Sequence, residues 1–113
     1  MKVLNILILV SLAVAAGAVK SAASELKQNH PNPFSSQTSI TFVLDDQQNV
    51  CLNIYDLRGN KVRGLCNRTF TADTHDVVWD GKDASGSRVP DGIYFFRLET
   101  ESMKETKKML LMR

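Results

Sequence analysis

Ser39-Ile40-Thr41-Phe42-Val43-Leu44 alternates with a period of two: Ile40, Phe42 and Leu44 fall on one face, Ser39, Thr41 and Val43 on the other. In an extended chain successive side chains point to opposite sides, so this is a strand with one face on a core. The pattern returns in residues 50–56 (Val50, Leu52, Ile54), 74–80 (His75, Val77, Trp79) and 92–100 (Tyr94, Phe96, Leu98). Further strands are expected over residues 61–66 and from about residue 105 to 112. After residue 24 no stretch holds a helical period, and turn residues recur about every ten positions, the spacing of a sandwich or barrel. The expectation is an all-β, two-layer antiparallel sandwich of about seven strands. Its core would be Phe34, Ile40, Phe42, Leu44, Val50, Leu52, Ile54, Leu65, Val77, Trp79, Tyr94, Phe96, Leu98, Met109 and Leu111.

Between two of these strands lies Asp56-Leu57-Arg58-Gly59-Asn60, a hairpin turn in which Gly59 or Asn60 takes a positive φ. If Asp56 faces Lys61 across the hairpin, the same register sets Cys51 opposite Cys66, and the two are a candidate disulfide in an oxidising compartment. A bulge between them would shift the register by one and turn one sulfur away.

Met1-Lys2 followed by an apolar run over residues 3–16, then small residues, has the form of a secretory signal peptide, with cleavage expected after Ala23. Residues 24–29 are polar and read as a short linker, and residues 30–113 as one domain. The chain has 14 Lys and Arg against 12 Asp and Glu. Lys2 and Lys20 fall in the leader, so the exported part is balanced at 12 of each. That balance lacks the positive field a nucleic-acid binder needs. About 90 residues suffice for one core and are too few for two.

Residues that could carry chemistry are sparse. His75 beside Asp76, with Cys51 or a serine, is the one hydrolytic set that can be assembled, and neighbours on a strand point to opposite faces. No metal-ligand cluster, phosphate-cradling loop or paired glutamates are apparent, so no catalytic residue, cofactor or small-molecule substrate is expected. Asp80, Asp83 and Asp91 stand among Gly81, Gly86 and Gly92, which suits a calcium loop or a tight turn whose carboxylates accept backbone N–H groups; turn chemistry is the favoured reading. Trp79 could stack on a sugar, but its alternation with Val77 places it in the core. Asn67-Arg68-Thr69 fits the N-glycosylation pattern in an expected loop and is read as a chance match.

Five segments in order carry a resemblance: Pro31-Asn32-Pro33-Phe34; residues 52–59 with Asp56 and Gly59; Trp79-Asp80-Gly81 with Asp83 and Gly86; Gly92-Ile93-Tyr94; and residues 107–113 with Lys107, Lys108 and Arg113. Over residues 26–113 the chain resembles the type A C-terminal sorting domain of the type IX secretion system. Residues 79–94 also resemble the immunoglobulin-like domain of the flagellar hook-capping protein. The resemblance implies an immunoglobulin-like sandwich, export through the periplasm to the cell surface or medium, and the translocation or attachment machinery of the outer membrane as partner. Sorting domains normally follow a cargo, whereas here the leader joins the domain almost directly. The expected function is a non-catalytic sorting or surface-attachment module read through its last strand and a basic flank of Lys104, Lys107, Lys108 and Arg113. The alternative is a structural or adhesive immunoglobulin-like module of the bacterial envelope.

Overall fold

Seven strands account for the regular structure of the computed structural model, which describes residues 24–113: β1 (Glu25–Leu26), β2 (Thr38–Val43), β3 (Gln48–Tyr55), β4 (Lys61–Phe70), β5 (Thr74–Trp79), β6 (Gly92–Glu99) and β7 (Lys104–Leu111). The expected signal peptide, residues 1–23, lies outside the described residues. The strands form a three-stranded sheet in the order β1-β2-β5 and a four-stranded sheet in the order β4-β3-β6-β7. Every pairing of strands is antiparallel.

The alternation read from the sequence sets the inner faces. Ile40 and Phe42 of β2, Val50, Leu52 and Ile54 of β3, Phe96 and Leu98 of β6, and Trp79 at the end of β5 are fully buried between the sheets. Met109 and Leu111 of β7 close one end of this core. Leu65 and Val77, expected inside, are half-buried and pack against its margin. Phe70 and Val89 are buried additions. Phe70 sits at the end of a β4 four residues longer than expected, which places Asn67-Arg68-Thr69 within a paired strand and not in a loop.

The segment read as a linker belongs to the domain. Leu26 is 2% exposed and pairs with Phe42 as part of β1. Asn29 is buried as well, its Nδ2 donating to Thr38 Oγ1 at 2.9 Å and to the Pro31 carbonyl at 3.2 Å. A two-residue strand is too short to show an alternation, so its polar neighbours dominated the reading.

Candidate functional site

The residues that carry the sequence motifs gather around β7. As an end member of its sheet, β7 pairs with β6 on one side, and its other edge would present unpaired N–H and C=O groups. Over its second half that edge is sealed by residues 28–34. Gln28 Nε2 donates to the Lys108 carbonyl at 2.8 Å, and Asn32 Oδ1 accepts from the Leu110 N–H at 2.9 Å. Phe34 donates its N–H to the Leu110 carbonyl at 3.0 Å and accepts from the Met112 N–H at 2.9 Å. The Phe34 ring, 2% exposed, packs into the core 5.7 Å from Trp79. Pro31-Asn32-Pro33-Phe34 is thus an edge cap: prolines fix the extended path, asparagine supplies a side-chain acceptor, and phenylalanine anchors the segment.

Because Leu110 turns its main-chain groups outward, the even-numbered residues of β7 face away from β6 in hydrogen bonding. Among the described residues nothing bonds the outward main chain around Thr106, which lies between the exposed side chains of Lys104 and Lys108. Lys107 behaves differently from Lys108. It lies opposite the buried Phe96, on the inner side, and pairs with Glu105 at 3.6 Å. Glu105 in turn accepts from the Leu26 N–H at 3.2 Å, tying β7 to the first strand. Inward-pointing charges of this kind keep an edge from pairing indiscriminately. The period of two that set Met109 and Leu111 inward also carried this information about Lys107.

Arg113, expected on an accessible basic flank, is folded into a clasp. Its main-chain N–H donates to Asp91 Oδ2 at 2.9 Å, and its guanidinium reaches Asp91 Oδ1 at 3.1 Å, the Val89 carbonyl at 2.8 Å and the Gly81 carbonyl at 3.3 Å. A Cβ on Gly81 would stand 3.0 Å from Arg113 Nη2, and the residue has a φ of +72°. Glycine is needed here both for its backbone angle and for the space the arginine takes.

The remaining motif residues shape the turns at the same end. Asp56 Oδ1 accepts from the N–H groups of Arg58 and Asn60, each at 2.9 Å, and Gly59 takes the positive φ, 88°. The Asn60 N–H first of all, then that of Arg58, holds the Asp56 carboxyl below the usual carboxylate range. Tyr94 donates its hydroxyl to the Pro90 carbonyl at 2.6 Å, and burial pushes its phenol upward. Gly92, with φ 149°, opens β6.

The carboxylates of the following loop are engaged in turn chemistry. Asp83 Oδ1 accepts from the Ser85 hydroxyl at 2.6 Å and from the N–H groups of Ser85 and Ser87 at 2.9 and 3.0 Å; these bonds, the hydroxyl's first, hold its carboxyl low. Asp80 Oδ1 accepts from the Lys82 N–H at 3.1 Å and from Arg63 at 3.2 Å. Among the described residues no three acidic, histidine or cysteine side chains gather as a metal site would require. Trp79, fully buried, donates its indole N–H to the Lys82 carbonyl at 2.9 Å and has no face for a sugar. His75 packs between Phe42 and Phe70, whereas Asp76 binds Thr41 on the opposite face, so the hydrolytic set does not assemble.

The cysteine pairing is corrected by two bulges. Leu52 faces Cys66 while Asn53 faces Gly64, leaving Leu65 without a partner, and a second shift follows between Ile54 and Tyr55. Cys51 therefore lies opposite Asn67 and shares the outer face with Asn53, whereas Cys66 turns inward against the core. Both cysteines are free. Burial pushes the Cys66 thiol upward. Titration of the non-reduced, unfolded chain is expected to find two free thiols, and in the folded chain Cys51 should react first. A chain with no titratable thiol would mean that the straight register forms.

Comparison with known proteins places this geometry. The chain matches the family described as the FlgD Ig-like domain over residues 29–104. Among solved structures, FlgD from P. aeruginosa is 27% identical with a TM-score of 0.53, covering 70% of this chain and 66% of that one. Dimeric latent PorU from Porphyromonas gingivalis is 19% identical with a TM-score of 0.62, covering 78% of this chain and 9% of that one. PorZ, a surface component of the type IX secretion system of the same organism, is 19% identical with a TM-score of 0.52, covering 85% of this chain and 12% of that one. The chain thus spans about a tenth of PorU and PorZ and just under two thirds of FlgD, and the likeness to PorU and PorZ is one of fold. A search of curated proteins finds no match. The family match covers most of the seven-stranded sandwich, and the chain belongs to the FlgD Ig-like domain family.

Proposed function

We propose that this chain is an exported sorting or surface-attachment module of the type IX secretion kind, acting by recognition and carrying out no reaction. One observation supports the reading above others: segments far apart in sequence that resemble the type A sorting domain meet at β7 and build its surroundings. Asn32 and Phe34 seal its edge, Gly81 and Asp91 hold Arg113 beyond its end, and Tyr94 lies opposite Met109. The partner on this reading is the outer-membrane translocation or attachment machinery. It would read the open stretch around Thr106 by main-chain pairing, with Lys104 and Lys108 supplying charge contacts. The occurrence of the same sandwich in PorZ accords with such a setting.

Residues 24–113 fused behind a reporter with its own signal peptide are expected to carry that reporter to the surface of a host possessing the type IX apparatus. Lys104→Gln with Lys108→Glu should strand it in the periplasm. Both lysines are exposed, and glutamine at 104 sets no carboxylate opposite Glu99, so the change in stability should be no more than about 0.5 kcal/mol. Lys107 is unsuited to this test because a glutamate there would face Glu105. If the intact fusion stays periplasmic while folded, the sorting role is wrong and the structural-module reading takes its place.

A further inference from the structure

On the flank of the sandwich away from β7, two sheet edges lie side by side: β5 ends the three-stranded sheet and β4 the four-stranded one. The two strands run in opposite directions at the same height. The Phe70 and His75 rings lie 4.8 Å apart at one end, and Arg63 pairs with Asp80 at 3.2 Å at the other. Leu44 continues the β2–β5 register and donates its N–H to the Asp73 carbonyl at 3.0 Å. Odd-numbered residues of β5 therefore bond to β2, and Asp76 and Val78 turn their main chain outward. Across the hairpin the Asp56 N–H donates to the Asn60 carbonyl, so even-numbered residues of β3 bond to β4. Val50 and Leu52 lie opposite Arg68 and Cys66, which leaves Asn67 and Thr69 outward. Among the described residues nothing bonds the outward main chain of Asp76, Val78, Asn67 or Thr69. The first half of β4 is guarded by its bulges and by the Ala84 N–H, which donates to the Val62 carbonyl at 3.2 Å; the second half and β5 have no such cover. Val78 is 51% exposed there, and Val77, Leu65 and Cys66 are half-buried along the same flank.

We infer that this flank binds a second copy of the chain, β5 of each copy pairing with β4 of the other. A two-fold axis parallel to the strands sets them antiparallel and satisfies both edges at once, joining each three-stranded sheet to the other copy's four-stranded sheet. A single strand from another protein would satisfy only one. Rotation about such an axis keeps every residue at its height, so the level of Phe70 with His75 sets Asp76 opposite Thr69 of the other copy and Val78 opposite Asn67. Outward main-chain groups thus meet outward groups. A shift by two residues would call on the Thr74 N–H, which Asp73 Oδ1 already accepts at 2.8 Å. Charge selects the same arrangement. β5 and its two ends carry Asp73, Asp76 and Asp80, whereas β4 carries Lys61, Arg63 and Arg68 and no acid, so pairing β5 with β5 and β4 with β4 would set like charges together. Within each copy Arg63 keeps Asp80 and Asp76 keeps Thr41, so charge decides which strands meet while Val77 and Val78 supply the apolar contact. β7 lies at the far end of the four-stranded sheet, and the inference does not depend on the sorting role.

Sedimentation velocity of the purified protein over a concentration series is expected to show a monomer–dimer equilibrium. Val78→Lys should weaken it at least ten-fold, and so should Val78→Pro, which removes an outward N–H that bonds nothing within one copy. Both should melt within a few degrees of the parent, because the side chain is exposed. Lys104→Gln with Lys108→Glu, on the far edge, should leave the equilibrium unchanged. The arrangement is read from two single-cysteine variants, Asn67→Cys and Val78→Cys, each in a chain that also carries Cys51→Ser and Cys66→Ala. Opposed residues of a hydrogen-bonded pair stand about 5.5 Å apart at Cα, within disulfide range. Mixed under mild oxidation, the two should therefore form a linked dimer at least ten-fold faster than either does alone. A protein monomeric across the series, or a dimer indifferent to both Val78 variants, would overturn the inference. So would Val78→Cys linking fastest to itself, the mark of β5 against β5, or a dimer lost on changing Lys104 and Lys108.

Discussion

Trp79→Ala is expected to lower the unfolding free energy by about 3 to 5 kcal/mol, a large share of what holds a domain of this size folded. The indole is fully buried, lies 5.7 Å from the Phe34 ring and 5.5 Å edge-on to Tyr94, and donates its N–H to the Lys82 carbonyl. Alanine would leave a cavity between the sheets, so transfer and cavity contributions add, while the Lys82 carbonyl would keep its bond from Arg63 at 3.1 Å. The urea midpoint of the variant measures the loss. A midpoint within error of the parent would show that the ring does not pack as described.

Phe34→Ala should cost a comparable amount, about 3 to 5 kcal/mol, although Phe34 belongs to no strand. Its ring fills the core end beside Trp79, and its main chain carries the parallel bridge to Leu111. Without the ring the cap loses its anchor, so the amide protons of Leu110 and Met112 should exchange with solvent far faster than in the parent. Those of Met109 and Leu111, which face β6, should be affected less. Uniform loss of protection across β7 would instead mean that cap and strand fail together. A double-mutant cycle of Phe34 with Trp79 is expected to show coupling of about 0.5 to 1.5 kcal/mol, the range for packed aromatic pairs.

The strands were legible because their chemistry is local. Alternation at Ile40-Phe42-Leu44, Leu52-Ile54 and Phe96-Leu98 fixes which side of each strand meets the core, and Gly59 marked its turn through the φ it takes. Two features escaped because they depend on partners distant in sequence. Leu26 looks like a lone apolar residue in a polar leader until Phe42 lies beside it. The cysteine register was extrapolated from the turn, and Leu65 breaks it with a bulge that no local composition marks. Around β7 the motif residues were recognisable, but their roles were not: Arg113 reads as a free basic charge in sequence and is a clasp in the fold.

The contact between Leu110 and Asn32 joins positions 78 apart, closing nearly the whole module into one loop. Closing so long a loop is entropically costly, and the contacts that offset it come from β7. Until β7 docks, Phe34 and Trp79 are available but the cap has no strand to seal. The surface around the cap therefore exists only when the two ends of the sandwich have met, so anything that binds there would bind the folded domain and not its parts.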